Sequence, residues 1–350
     1  MGIGNLLKIY FIFSIKIFIM GCGETPIINH EHSYSICTMT ISNLTDELIK
    51  IFPLPYDNLL ACSCRNYKIL DMNDEKEKET HEFEDEIFNL ILWTHLSSIK
   101  LIEGSCNGDL IIHDLETKQN IRRGGHLSTV MFLLKLKEGN LLSASSDGVV
   151  IIWDPNNNFN EILRFNAHKA PIWNVCEITR GIIITTCDDG KSKMFVLKNK
   201  PKERCVLIFN TPKCRSLNKM KNKRIVYNSD KDLIIYQIDK IPDISEDIPA
   251  IRKKKKNDPD FIINDAHDTT ISYIITISTG EIISGSEEGI VKIFHSKYKY
   301  QCVSILTGHM GRINFIDEYP GGKLVTCGDD KKIKFWEKDK NDYRNDYNFD

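Results

Sequence analysis

GHLSTVMFLLKLKEGNLLSASSDGVVIIWD, running from Gly125 to Asp154, holds three short apolar runs separated by polar turns. VMFLLKL, NLLSASS and VVIIWD read as β-strands. They are rich in Val, Ile and Leu, and LysGluGlyAsn and SerAspGly supply the turn residues between them. No 3.6-residue apolar period runs through them, which sets a helical solenoid aside. Three further segments superimpose on this one without gaps. They are AHKAPIWNVCEITRGIIITTCDDGKSKMFV (Ala167 to Val196), AHDTTISYIITISTGEIISGSEEGIVKIFH (Ala266 to His295) and GHMGRINFIDEYPGGKLVTCGDDKKIKFWE (Gly308 to Glu337). In each, a His lies 27 residues before an aromatic: His126 to Trp153, His168 to Phe195, His267 to Phe294 and His309 to Trp336.

Degenerate copies fill the gaps. LIEGSCNGDLIIHD places His113 at the aromatic position, LLACSCRNYKILD places Leu70 there, and YNSDKDLIIYQ places Tyr236 there. The seven anchors are then 70, 113, 153, 195, 236, 294 and 336, spaced by 43, 40, 42, 41, 58 and 42 residues. The single long interval contains the polar stretch Pro242 to Pro259, read as an insertion. A fourth apolar run precedes the later His residues, as FIIND does before Ala266 and CVSILT before Gly308. Four short strands per unit of about 42 residues is the layout of a propeller blade.

The GlyHis and TrpAsp dipeptides and the SerAlaSerSerAspGly turn resemble the WD-repeat β-propeller family over roughly Ser33 to Lys338. The resemblance implies an all-β, seven-bladed propeller of four-stranded antiparallel blades. The last repeat stops after its third strand, so SICTMTI (Ser35 to Ile41) is expected to complete the final blade and remove the open edges. It also implies one buried hydrogen-bond chain per blade: His126, Ser143, Asp147 and Trp153 in the third, and His309, Thr326, Asp330 and Trp336 in the seventh. In the fourth blade His168, Thr185 and Asp189 meet Phe195. In the sixth His267 and Ser284 meet Glu288 and Phe294, so both chains lack an indole donor.

His126, Ser143 and Asp147 also contain the elements of a hydrolase triad. The set recurs once per blade, however, and no GxSxG elbow accompanies it, which favours a structural role and a chain that is not an enzyme. Cys62-x-Cys64 falls in an expected strand, with both thiols on one face, and lacks a matching pair at zinc-finger spacing. No metal and no cofactor are expected. Gly321-Gly322 has no helix after it and reads as a turn rather than a phosphate cradle.

In this family partners dock around the mouth of the central channel. By analogy the positions three and five residues after each His, and the one before each turn Asp, form that rim. Here they are Thr129, Met131 and Ser146; Pro171, Trp173 and Asp188; Thr270, Ser272 and Glu287; and Arg312, Asn314 and Asp329. Trp173 stands out as a hot-spot residue type. Asp188, Glu287 and Asp329 would make an acidic sector suited to a Lys- or Arg-bearing peptide.

The function implied is a non-catalytic protein-interaction scaffold, with proteins or peptides as partners and no small-molecule substrate. The alternative is the regulatory or substrate-recognition propeller of a kinase or ubiquitin-ligase complex, and an enzyme in its own right ranks last. The ligase version is weakened because Trp153-Asp154 is followed by Pro155-Asn156 rather than by a basic residue two places on. A net charge of −2 removes bulk attraction to nucleic acid. The basic run RKKKK (Arg252 to Lys256) and the acidic stretch Asp74 to Glu86 read first as surface loops. Eleven cysteines in mostly apolar contexts argue against a disulfide framework and for a reducing, cytoplasmic compartment.

The chain divides into an apolar N-terminal segment and linker (1–32), the propeller (33–339) and a polar tail (340–350). Ile9 to Met20 is too short to span a bilayer and is interrupted by Lys16. Three readings of this segment stay open. IleMetGlyCys resembles a lipoprotein cleavage box at Cys22, a signal or anchor. With translation from Met20, MetGlyCysGlyGluThr fits myristoylation at Gly21 and offers Cys22 for a second chain, giving membrane association. The third is a tail without function.

Overall fold

The structure is a computed structural model and describes residues 34–42, 44–95, 98–197, 204–211, 214–221, 223–238, 252–253 and 259–338. Apart from two single turns of 3-10 helix, its regular elements are strands gathered into seven sheets. Blade three shows the plan: Val130–Lys135, Leu141–Ser145, Val149–Asp154 and Asn160–Asn166 pair in sequence, all antiparallel. Its second strand, LLSAS, is buried on both faces, whereas the fourth, NEILRFN, is mostly exposed. Such a gradient is expected when the early strands lie inside the ring and the last lies outside.

The first strands of the blades are Leu48–Leu54, Ile87–His95, Val130–Lys135, Ile172–Thr179, Leu217–Lys219, Ile271–Thr276 and Ile313–Tyr319. Each touches the first strand of the next blade, and Ile313–Tyr319 touches Leu48–Leu54, so the ring closes. Closure is sealed by Tyr34–Ile41, which pairs antiparallel with Ile333–Lys338 and supplies the fourth strand of blade seven. The seven anchors all fall in the third strand of their blades. Apolar side chains do not form one central core. They form seven layers, each between neighbouring blades; Leu142, Ile152 and Phe165 of blade three, for instance, pack on Ile172, Ile183 and Phe195 of blade four. Burial of such side chains contributes about 1.5–3 kcal/mol each, so every blade-to-blade interface adds to stability.

Three expectations need correction. The acidic stretch is not simply a loop, because Glu77–Glu82 is the outermost strand of blade one, its carboxylates guarding an exposed edge. The basic run is not simply a loop either. The backbone of Arg252–Lys253 pairs in parallel with Leu207–Ile208 and gives blade four a fifth strand. Cys62 and Cys64 do not share a strand face: the strand ends at Ser63, with Cys62 buried and Cys64 half-buried beyond it. Residues 1–32 with Gly21 and Cys22, Lys254 to Lys256 and the tail 340–350 lie outside the described residues. Among the described residues no helix is long and apolar enough to cross a membrane.

Candidate functional site

The hydrogen-bond chain of blade seven runs in one direction. Trp336 Nε1 donates to Thr326 Oγ1 at 2.9 Å, and that hydroxyl lies 2.8 Å from His309 Nε2. His309 Nδ1 then meets both carboxylate oxygens of Asp330, at 2.9 and 3.0 Å. With Nδ1–H given to Asp330, the Thr hydroxyl is free to donate to Nε2, and every polar atom is matched. In blade three Trp153 Nε1 donates to Ser143 Oγ at 2.8 Å, and His126 Nε2 lies 2.7 Å from the same oxygen. Asp147 stands off from His126 at 3.4 Å and instead accepts the backbone N–H groups of Leu127 and Val149. Burial would push its carboxyl up, but the contact with His126 and these two N–H donors hold it well below the usual range.

Blades four and six are shorter chains. His168 Nε2 lies 2.7 Å from Thr185 Oγ1, and His267 Nε2 lies 2.7 Å from Ser284 Oγ. Burial, followed by a nearby lysine (Lys193 or Lys292), lowers the pKa of His168 and of His267 to about 4. Both rings are therefore neutral at physiological pH. Glu288 does not replace the missing Asp, because neither its Oε1 nor His267 Nδ1 has a hydrogen-bond partner. In blade four a third group joins: Cys187 Sγ lies 2.9 Å from His168 Nδ1, while Asp189 is at 3.4 Å. His168, Cys187 and Asp189 hold their donor atoms within 4.8 Å of one another, a cluster with metal-ligating chemistry. Spacing along the chain hides it, since its members come from a loop, a strand end and a turn.

Blade two, a degenerate copy in sequence with His113 at the aromatic position, has a buried pair of its own. Glu103 stands ten residues before the His113 anchor, the place of Ser143 and Thr326. Its carboxylate lies 2.6 Å from His113 Nε2, out of line for a straight hydrogen bond, and both side chains are sealed from solvent. His113 Nδ1 meets Asn120 Oδ1, and the ring packs against His81 and Phe83 of blade one. Burial pushes Glu103 up to about 7. The His113 pKa is raised as well, because burial, which would lower it, is outweighed by Glu103 and Asn120.

The two families of rim positions come together on one edge of the ring. The backbone N–H of Ser146, Asp188, Glu287 and Asp329 donates to the carbonyl of Thr129, Pro171, Thr270 and Arg312, at 3.0, 3.3, 3.0 and 3.0 Å. Close by, six of the seven first strands carry a register shift, and the bulged residues are Ile49, Phe88, Met131, Trp173, Ser272 and Asn314. A bulge re-aims its side chain, which explains why these positions differ from their neighbours.

Many polar rim groups are occupied in joining blades. Thr129 donates to Cys106 O, Thr270 to Asp230, Ser272 to Ile313 O, and Asn314 to both Leu48 O and Asp329. Ser146 donates to Ser128. Met131 is a correction, being buried at 6% exposure and so turned away from solvent. Trp173 is half-exposed; its ring lies 6.5 Å from exposed Phe88 of blade two, with the Arg215 guanidinium 5.2 Å above it. Its Nε1 is without a hydrogen-bond partner. Phe88 was missed because the hairpin of blade two is longer: it lies 25 residues before its anchor, whereas Trp173 lies 22 before Phe195.

The WD domain, G-beta repeat family matches residues 118–154 and 300–337, the third and seventh repeats. A zebrafish (Danio rerio) p21-activated protein kinase-interacting protein 1-like is 31% identical over 71 residues, 20% of this chain and 19% of that protein. The chicken (Gallus gallus) protein of the same name is 30% identical over 71 residues, with the same coverage. The similarity thus spans about a fifth of the length of either relative. Two matched repeats, the recurring His–hydroxyl contacts and seven blades closed by the N-terminal strand make this chain a WD-repeat β-propeller.

Proposed function

We propose that the protein is a non-catalytic scaffold that docks a protein partner at the mouth of its channel, on the surface formed by Trp173, Phe88 and Arg215. The observation that carries this is the aromatic pair itself: Trp173 is half-exposed on a rigid bulged strand and braced by Phe88 and Arg215. Aromatic and arginine side chains held this way are the residue types that dominate binding energy at interfaces. Asp188 and exposed Glu287 stand on the same edge and favour a basic segment in the partner. A non-catalytic role is supported by the burial of Ser143, Thr185, Ser284 and Thr326, which are 0% exposed and so out of reach of a substrate.

The name shared by the two relatives makes a p21-activated protein kinase the first partner to test, and with it the role of a regulatory propeller in a kinase complex. A cytoplasmic location fits the buried thiols of Cys62, Cys187, Cys214 and Cys327, none of which is in a disulfide. Anchoring through Gly21 or Cys22 would bring the scaffold to a membrane, and the intact mass of the mature N-terminus tests that part.

Affinity purification with mass spectrometry, comparing the native chain with Trp173→Ala and with Asp188→Lys/Asp329→Lys, tests the docking surface. A defined set of proteins should be lost from both variants while their melting temperatures stay near the native value. Recovery of the same set by all three would refute the proposed surface.

A further inference from the structure

Among the described residues, blade four alone joins a thiol to its His–Asp pair. In the strand register Cys187 faces Ile172, as Ser145 faces Val130 in blade three and Gly328 faces Ile313 in blade seven. Ser145 turns its hydroxyl to Ser128 O, and Gly328 has no side chain. Cys187 turns its sulfur to His168 Nδ1 at 2.9 Å, nearer than Asp189 at 3.4 Å. A turn residue would account for the N–H of Asp189 donating to Cys187 Sγ at 3.3 Å, but not for the approach to the imidazole.

We propose that His168 Nδ1, Cys187 Sγ and Asp189 Oδ2 form a zinc site, with water as the fourth ligand. One nitrogen, one sulfur and one carboxylate oxygen are donors zinc accepts, at about 2.0–2.3 Å each, which sets tetrahedral donor separations of about 3.3–3.6 Å. The Nδ1–Oδ2 distance of 3.4 Å already meets this. The sulfur needs to withdraw by about half an ångström, a small rotation of Cys187.

The surroundings suit a ligand set. Thr185 Oγ1 donates toward Lys193 O at 3.4 Å, so it accepts Nε2–H of His168 and leaves the Nδ1 lone pair facing the cluster. A fixed tautomer of this kind is how metal-ligating imidazoles are oriented. The Asp189 N–H on Sγ stabilises a thiolate. Lys193, held on Ala167 O at 2.6 Å, opposes a cation, but one thiolate and one carboxylate outweigh its single charge. His168 and Cys187 are buried, and the exposed Asp189 provides entry and room for water. On binding, the sulfur lone pair passes to zinc and the thiol proton to solvent, with no change of oxidation state. Bound metal would pin the turn that carries Asp188 at the rim.

The test uses the full chain under a non-thiol reductant, with Zn2+ followed by calorimetry and Co2+ by its thiolate charge-transfer absorption. The native chain should take up one equivalent that Cys187→Ser lacks, together with the cobalt band; Ser stands at this place in blade three, so the variant keeps a known solution for the turn. Asp189→Asn, a change at an exposed side chain, should lose the zinc-induced rise in melting temperature. Thr185→Val should weaken binding by about 10–100-fold. Equal uptake by the native chain and Cys187→Ser, or an undiminished zinc response in Asp189→Asn, would overturn the site.

Discussion

Glu103 and His113 stand 2.6 Å apart inside blade two, where blade three has Ser143 and Trp153. The substitution keeps a contact between the second and third strands but replaces a neutral hydrogen bond with two titratable groups.

That replacement predicts a pH effect. Glu103 rises from its ordinary 4.5 to about 7, because burial disfavours its charge, and the His113 pKa is raised by Glu103 and Asn120 against its own burial. Both groups hold protons more firmly in the folded chain than in the unfolded one. Their stabilisation is therefore complete at acid pH and fades as pH rises through the folded pKa values. Across pH 5 to 8 the native melting temperature should fall by several degrees more than that of Glu103→Gln. Parallel melting curves would count against it.

The same substitution should have unequal effects in two blades. Thr326→Val leaves both His309 Nε2 and Trp336 Nε1 without their partner, whereas Thr185→Val strands only His168 Nε2 among the ring nitrogens. Each buried polar group left unmatched costs about 1–3 kcal/mol, so Thr326→Val should be the more destabilising by about that amount. Denaturation in urea, read as the shift in midpoint, measures the difference.

Two turn glycines separate backbone strain from collision. Gly148 and Gly190 both have positive φ, 80° and 73°. A Cβ on Gly148 would meet the carbonyl oxygen of His168 in the next blade at 2.3 Å, whereas on Gly190 the nearest atom is 3.5 Å away. Gly190→Ala should cost about 1–2 kcal/mol for the left-handed backbone alone. Gly148→Ala should cost clearly more, since two blades must part. Thermal melts of the two variants decide it.

Closure can be tested by length. Removing residues 34–41 strips blade seven of its fourth strand and exposes the partners of Tyr34 and Ile41, which are 1% and 2% exposed. Loss of these two side chains alone is worth about 3–6 kcal/mol. The shortened chain should melt far lower, and exchange of backbone amides in Ile333–Lys338 should speed up most.

Much of the ring was legible because a blade is a local object. Strand, turn and anchor recur in sequence, so Trp153 and Trp336 mark their third strands before any fold is known. The candidate surface was legible where a His opens the repeat, as for Trp173, and was lost where hairpin length changed, as for Phe88. Met131 shows the limit of the analogy: the right position in the pattern, but a side chain buried by its neighbours.

By itself the sequence determined the period, the all-β class and the seven anchors, since these follow from repetition, short-range alternation and turn chemistry, and the strand that closes the ring was what the family resemblance implied. Only the tertiary structure decided which residues meet across that period. It set Cys187 beside His168, Glu103 beside His113, Phe88 beside Trp173, and the backbone of Arg252–Lys253 along blade four. These neighbours come from register, bulges and the packing of one blade on the next, and those are set by the closed ring as a whole.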